Sequence, residues 1–203
     1  HYILKLVDAY TTIQLAPRSR KNSLSLLFPS SYPFPTTTTA AQADVDEALV
    51  EITALVAACF NAPNSLTLDP SAIDVSEFLF NTLQVYKSVL ACEAFPSSWL
   101  SVHIFHHKSA IRTLENLFSI LVEFYLPHPD NGNEFNSDIW RTFLDTLLKL
   151  CSSDALAMET FPEQKRRTVW KIAGDVREVG ADLLRRSWEA LGWETNPEEI
   201  KRY

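Results

Sequence analysis

The chain has 203 residues, 46% of them hydrophobic and 11% aromatic, with only 4 glycines. That composition excludes a charge-dense disordered chain and provides for one large domain, which would remove roughly 70% of its unfolded surface from water. The net charge of −7 is uneven, since residues 41–160 carry 16 acidic against 5 basic side chains and residues 162–203 carry 8 against 9; this argues against nucleic acid and anionic lipid, both of which are held by clustered Lys and Arg.

No run of about 18 apolar residues occurs, so no membrane-spanning helix and no direct membrane insertion are predicted, and the chain reads as soluble. It starts at His1 with no ordered leader pattern and is expected to be a piece of a longer polypeptide. Residues 1–15, with Tyr2, Ile3, Leu6, Tyr10 and Ile13, read as the end of a helix. Residues 16–43 hold Pro29, Pro33, Pro35 and a Ser/Thr run, which predicts a long mobile loop. Helical structure is expected across 44–193, with 194–203 as a tail or linker to a following domain.

Within 44–193, Asp44 is placed to cap a helix whose stripe is Val45, Leu49, Ile52, Val56, Cys59 and Phe60. After a turn with two prolines, Asp74 caps a second stripe of Val75, Phe78, Leu79, Leu83, Tyr86 and Leu90, giving a helical hairpin. Ser97 or Ser98 caps the next element, with Trp99, Val102 and Phe105 facing inward, and a long stripe from Ile111 through Leu114, Phe118 and Leu121 to Tyr125 stops before Pro127. Phe135, Ile139, Trp140, Phe143, Leu147 and Cys151 define a helix ending near Ser152, and a short helix starts near Asp154. A last helix, opening at Pro162 and ending at Gly192, carries Val169, Ile172, Val176, Val179, Leu183 and Leu191. No sustained two-residue alternation predicts a strand. The fold class is therefore all-α: antiparallel helical hairpins forming an irregular armadillo/HEAT-like α-solenoid segment.

Few residues suggest chemistry. Cys59, Cys92 and Cys151 lie among apolar neighbours and read as buried free thiols. His103 and His107, at i, i+4 beside His106, would face one metal on a helix, but the flanking glutamate of a zinc-protease motif is absent; partly exposed histidines at a helix junction are the simpler reading. No nucleophile elbow, phosphate loop or dinucleotide fingerprint occurs, so neither a catalytic site nor a cofactor is expected. Lys165, Arg166 and Arg167, followed by Lys171, are a solvated face or a docking patch for an acidic partner or a neighbouring domain. Ser23, after Arg18, Arg20 and Lys21, has the pattern of a site for a basophilic kinase. Among the tryptophans, Trp140 sits on an apolar stripe and reads as core, whereas Trp170 and Trp193 fall off or beyond the last stripe and are candidates for an interface.

The segment FPEQKRRTVWKIAGDVREVGADLLRRSWEALG resembles a stretch of the Dock (dedicator of cytokinesis) proteins shortly before their catalytic second Dock homology region. The likeness rests on Phe161, Lys165, Arg166, the run Gly174, Asp175, Val176 and Arg177, then Gly180, Trp188, Leu191 and Gly192, with support from EFNSDIWRTFLDTLLKL. The resemblance implies a large cytoplasmic activator of Rac- or Cdc42-type small GTPases, recruited to the plasma membrane. This stretch would be non-catalytic scaffold that positions the catalytic and targeting domains. Implied partners are other domains of the parent chain, the GTPase through the parent's catalytic region, and an Elmo-type adaptor. Gly174 and Gly180, expected in the interior of the last helix, suggest close approach of a neighbouring helix, and Asp175, Arg177 and Trp188 have structural roles on this reading. Two rivals are a helical-repeat interaction module of an unrelated intracellular scaffold and a small helical hydrolase or metalloenzyme.

Overall fold

The computed structural model describes residues 2–16, 46–62, 74–91, 94, 99–126 and 135–192. The structured stretches are helical, and no strand occurs among the described residues. Among the described residues seven α-helices follow in order: α1 (Tyr2–Leu15), α2 (Glu47–Asn61), α3 (Val75–Leu90), α4 (Leu100–Tyr125), α5 (Ser137–Cys151), α6 (Glu163–Ala173) and α7 (Val176–Leu191). Two 3-10 turns, Asp154–Leu156 and Met158–Thr160, lie between α5 and α6.

The helices pair as hairpins, α1 with α2, α3 with α4, and α5 with α7, and the hairpins stack so that α1, α3 and α5 form one row and α2, α4 and α7 a second; the hairpin expected of α2 with α3 is not formed, because α2 packs on α1 and α4 instead. In the second and third hairpins the partners run antiparallel. Tyr125, at the end of α4, lies beside Ser76 at the start of α3, and Gly180, early in α7, packs on Leu150 and Cys151 at the end of α5. This is the irregular helical solenoid that the apolar stripes predict. Helices of 11 to 26 residues do not keep a fixed period, which is why no clean repeat shows in the sequence.

Polar side chains tie the rows where apolar packing alone would allow sliding. Thr113 donates to the Tyr86 hydroxyl at 2.9 Å, and Tyr86 lies 3.0 Å from Ser109, which reaches the Ala57 carbonyl at 3.5 Å, so one chain of hydrogen bonds crosses α4, α3 and α2. Burial pushes the Tyr86 phenol up to about 12, keeping it a neutral donor. Tyr10 and Gln14 of α1 meet Ser88 of α3 at 2.7 and 3.0 Å. The Trp140 indole donates to the Tyr125 carbonyl at 3.1 Å, satisfying one of the open carbonyls at the end of α4 and joining α5 to it.

Several expectations are corrected. The last stripe is two helices: Gly174 takes a φ of 67°, a region that favours glycine, and its N–H closes α6 on the Trp170 carbonyl. Asp175 then caps α7, accepting from the amides of Arg177 and Glu178. Gly174 is thus no helix-interior glycine, and Ile172 and Val179, expected on the buried stripe, are 52% and 42% exposed, because α6 is covered only at Val169 and α7 starts its own phase after the break.

The cap of α2 is Asp46, which accepts from the Leu49 amide; Asp44 and Val45 lie outside the described residues. A single helix of 26 residues runs to Tyr125, and Phe105 on it is exposed, since the inward face at that turn belongs to Ile104 and the histidines on either side. His103, His106 and His107, expected to be partly exposed, are all buried. Cys59 and Cys151 are free thiols but only half-buried. Trp140 is in the core, as its stripe predicts. Ser23, Cys92, Trp193, the loop from residue 17 to 43 and the tail 194–203 lie outside the described residues.

Candidate interaction surface

The insert between the two helices of the third hairpin is the least buried helix among the described residues. Helix α6, of sequence EQKRRTVWKIA, buries only Val169. A neighbour on one side leaves the other faces to solvent, and the polar side chains on them follow from that. Two anchors hold the insert: the Lys108 ammonium of α4 donates to the Ile172 carbonyl at 2.8 Å, and Lys165 folds back over the Phe161 ring at 3.9 Å.

The basic cluster is therefore divided. Lys165, itself exposed, lies over Phe161 at the edge of a pocket of about 600 Å³ that Lys149, Ser153 and the buried His103 also line. Arg166, Arg167 and Lys171 are exposed, with Arg167 paired to Glu163 one turn earlier. Trp170, 55% exposed, lies one turn from Arg166, so an aromatic face and a guanidinium share one flank of the helix. Among the described residues this is where a large aromatic side chain and several cations are presented together, the composition favoured at protein interfaces.

Beneath the insert, the histidines of α4 do not form a metal centre. His107 Nδ1 lies 2.7 Å from the His103 carbonyl, which can only accept, so Nδ1 carries the proton and donates. Its Nε2 then accepts from the Ser153 hydroxyl at 2.7 Å. Both ring nitrogens are thereby occupied, Nδ1 within α4 and Nε2 in joining α4 to the segment after α5. Burial holds the ring's pKa down to about 4, and the same cause brings His106 to about 4. Among the described residues no group of three or more His, Cys, Asp or Glu is positioned to hold a metal ion.

Arg177 ties the start of α7 to the previous elements, donating to the Cys151 carbonyl at 3.0 Å and to both oxygens of Glu159 at 2.9 and 3.1 Å. That guanidinium keeps the Glu159 carboxyl below the usual range. Gly180 lets α7 approach α5: a Cβ there would stand 2.7 Å from the Cys151 sulfur and 3.1 Å from Leu150. Trp188 is not core but 48% exposed. With Leu144 and Leu148 of α5 and Ala181 and Leu184 of α7 it lines a groove of about 550 Å³, rimmed by the Arg185–Glu189 pair. The prediction from sequence missed this groove. Its signal is a second apolar stripe, Leu144–Leu148 on one helix and Ala181–Leu184–Trp188 on the other, beside the stripe each buries.

Among the described residues no helix is long and apolar enough to cross a membrane. A family model described as the dedicator of cytokinesis (DOCK) TPR region matches residues 66–196. The chain is similar to dedicator of cytokinesis protein 3 of Mus musculus and of Homo sapiens, 21% identical to each over 119 residues, which is 59% of this chain and 6% of theirs. The chain thus spans a small part of the length of the curated relatives it matches. No solved structure matches it.

Proposed function

From the premise that this chain belongs to the Dock family, in its TPR region, we propose that it is a non-catalytic helical scaffold segment of a guanine nucleotide exchange factor for Rac- or Cdc42-type small GTPases. Its task is to hold the parent's catalytic and targeting domains at a fixed spacing. The family match carries this reading and sets aside the rival of an unrelated scaffold. The stacked hairpins support it mechanically: buried hydrogen bonds and apolar rows resist bending between hairpins, as a spacer requires.

On this reading the partners are other domains of the parent chain, an Elmo-type adaptor, and the GTPase only through the parent's catalytic region. The α6 insert, with Trp170, Arg166, Arg167 and Lys171, is the surface offered to an acidic partner. The setting is the cytoplasm, with recruitment of the parent to the plasma membrane. Nucleotide release from Rac- and Cdc42-type GTPases, measured with these 203 residues and with the longer parent, tests it. Release by the longer chain alone is expected. Release by the 203 residues alone would place catalytic machinery here and overturn the scaffold reading, and release by neither would remove the exchange factor.

A further inference from the structure

One pocket of the stack gathers positive charge without a counter-charge. It has a volume of about 600 Å³ and is bounded, among the described residues, by the end of α3, the start of α4, the end of α5 and the segment that leads into α6. Leu100, Ala155 and Phe161 give it apolar walls, and Lys149 and Lys165 line it beside Ser152. Lys149 is half-buried, and the Lys165 ammonium lies 3.9 Å from the centre of the Phe161 ring. Neither lysine is within ion-pair distance of a carboxylate among the described residues, although the exposed Asp154 lines the same pocket. A charge partly withdrawn from water is stabilised by an opposite charge, so two such ammonium groups around one pocket mark a place for an anion.

The lining also selects the kind of anion. Two ammonium groups suit a dianion, and a phosphomonoester carries about −1.5 to −2 at neutral pH with three acceptor oxygens, where a carboxylate carries a single charge. Of the two serines, Ser153 already gives its proton to His107 at 2.7 Å. Ser152 holds the Lys149 carbonyl at 3.3 Å, a long bond for a hydroxyl, and is free to turn that proton to a phosphate oxygen. The apolar walls call for a flat apolar body joined to the phosphate, and the volume lies in the range that accommodates one. We propose that this pocket binds an aryl phosphate, the chemistry of a phosphorylated tyrosine side chain, with the ring against Leu100 and Phe161 and the phosphate among Lys149, Lys165 and Ser152. An inositol phosphate headgroup is polar on every side and leaves those walls bare, and the acidic excess of residues 41–160 repels the anionic bilayer that carries it. The site is separate from the flank of α6 that presents Trp170, because Lys165 and Trp170, five residues apart, project about 140° apart around the helix. It goes beyond the scaffold reading and stands whatever the parent protein catalyses.

The test is titration of the full 203-residue chain with phenyl phosphate and with inorganic phosphate, followed by calorimetry and by amide NMR shifts. Phenyl phosphate is expected to bind about tenfold tighter than inorganic phosphate through the ring it buries. It should shift the amides of Ser152, Ser153, Ala155 and Lys165 and leave those of Trp170 and Lys171 in place. Lys149→Gln and Lys165→Gln should each weaken it about tenfold. Asp154→Asn should tighten it about threefold, a gain that a misfolded chain does not produce. Phenyl phosphate that binds no tighter than inorganic phosphate, or that is undiminished by both lysine substitutions, would overturn the inference. So would saturable binding to phosphoinositide-containing vesicles by a chain that does not take up phenyl phosphate, because a lipid headgroup would then be the occupant.

Discussion

Helices α5 and α6 are neighbours in the chain and opposites in the structure. In α5 six of 15 residues are buried, among them Trp140, Phe143 and Leu147, and Phe118 of α4 meets the two aromatic rings at 6.4 and 6.2 Å. In α6 one of 11 is buried, and its tryptophan is mostly in solvent. The two tryptophans therefore do different work, one filling the stack and the other available for contact. The phase of each tryptophan already separates the roles, Trp140 on the apolar stripe of its helix and Trp170 off it, and how many neighbours each helix meets sets the extent of burial.

Acid should break the comparison most severely, by attacking the junction beneath α6 while leaving its arginines charged. His106 and His107 have folded pKa values near 4, below the ordinary 6.5, so the unfolded chain takes up protons first. Their contribution to stability is complete above about pH 6.5 and is lost as pH falls from there to about 4, by roughly 3 kcal/mol for each ring at most. Urea midpoints measured from pH 7.5 to 4.5 should fall accordingly, and His107→Gln should flatten the profile. A profile equally steep in that variant would remove His107 from the explanation.

Trp140→Ala should cost about 3–5 kcal/mol through the cavity it leaves and the indole bond it removes, whereas Trp170→Ala should stay within about 0.5 kcal/mol. Equal losses in chemical denaturation would show that α6 is part of the core. The two glycines around α7 sharpen the contrast between local geometry and packing. Gly174→Ala should cost about 1–2 kcal/mol because its φ is positive, with nothing near enough to clash. Gly180→Ala gains helix propensity but meets the Cys151 sulfur, so a net loss of about 1 kcal/mol is expected, and Cys151→Ala in the same chain should relieve it. Smallest of all, Asp175→Ala should remove about 1 kcal/mol or less by uncapping α7, visible as a lowered midpoint with an unchanged denaturant slope.

Much of this was legible locally. Apolar residues three and four apart in α3 and α5 mark helices whatever surrounds them, and the same stripes name the core: Val75, Phe78, Leu79, Leu83, Tyr86 and Leu90 are all buried. The residues of the family likeness also had readable local roles, since a Gly-Asp pair in a helical run is itself a stop followed by a cap; extending the stripe from Val169 to Leu191 passed over that signal. The Leu144–Leu148 and Ala181–Leu184–Trp188 stripes were present too, but each is half of a surface and has no meaning until the two helices lie side by side.

The sequence by itself determined the helical class, most of the core faces and the family, because helix periodicity, capping and proline exclusion act over a few residues, whereas the pairing of helices into hairpins did not follow from it. Only the tertiary structure decided that three histidines are buried, with His106 and His107 held neutral, and that Lys165 turns to Phe161. Those outcomes depend on which helices cover which faces, and that is settled by packing between residues far apart in the chain, where burial and charge are sums over every neighbour.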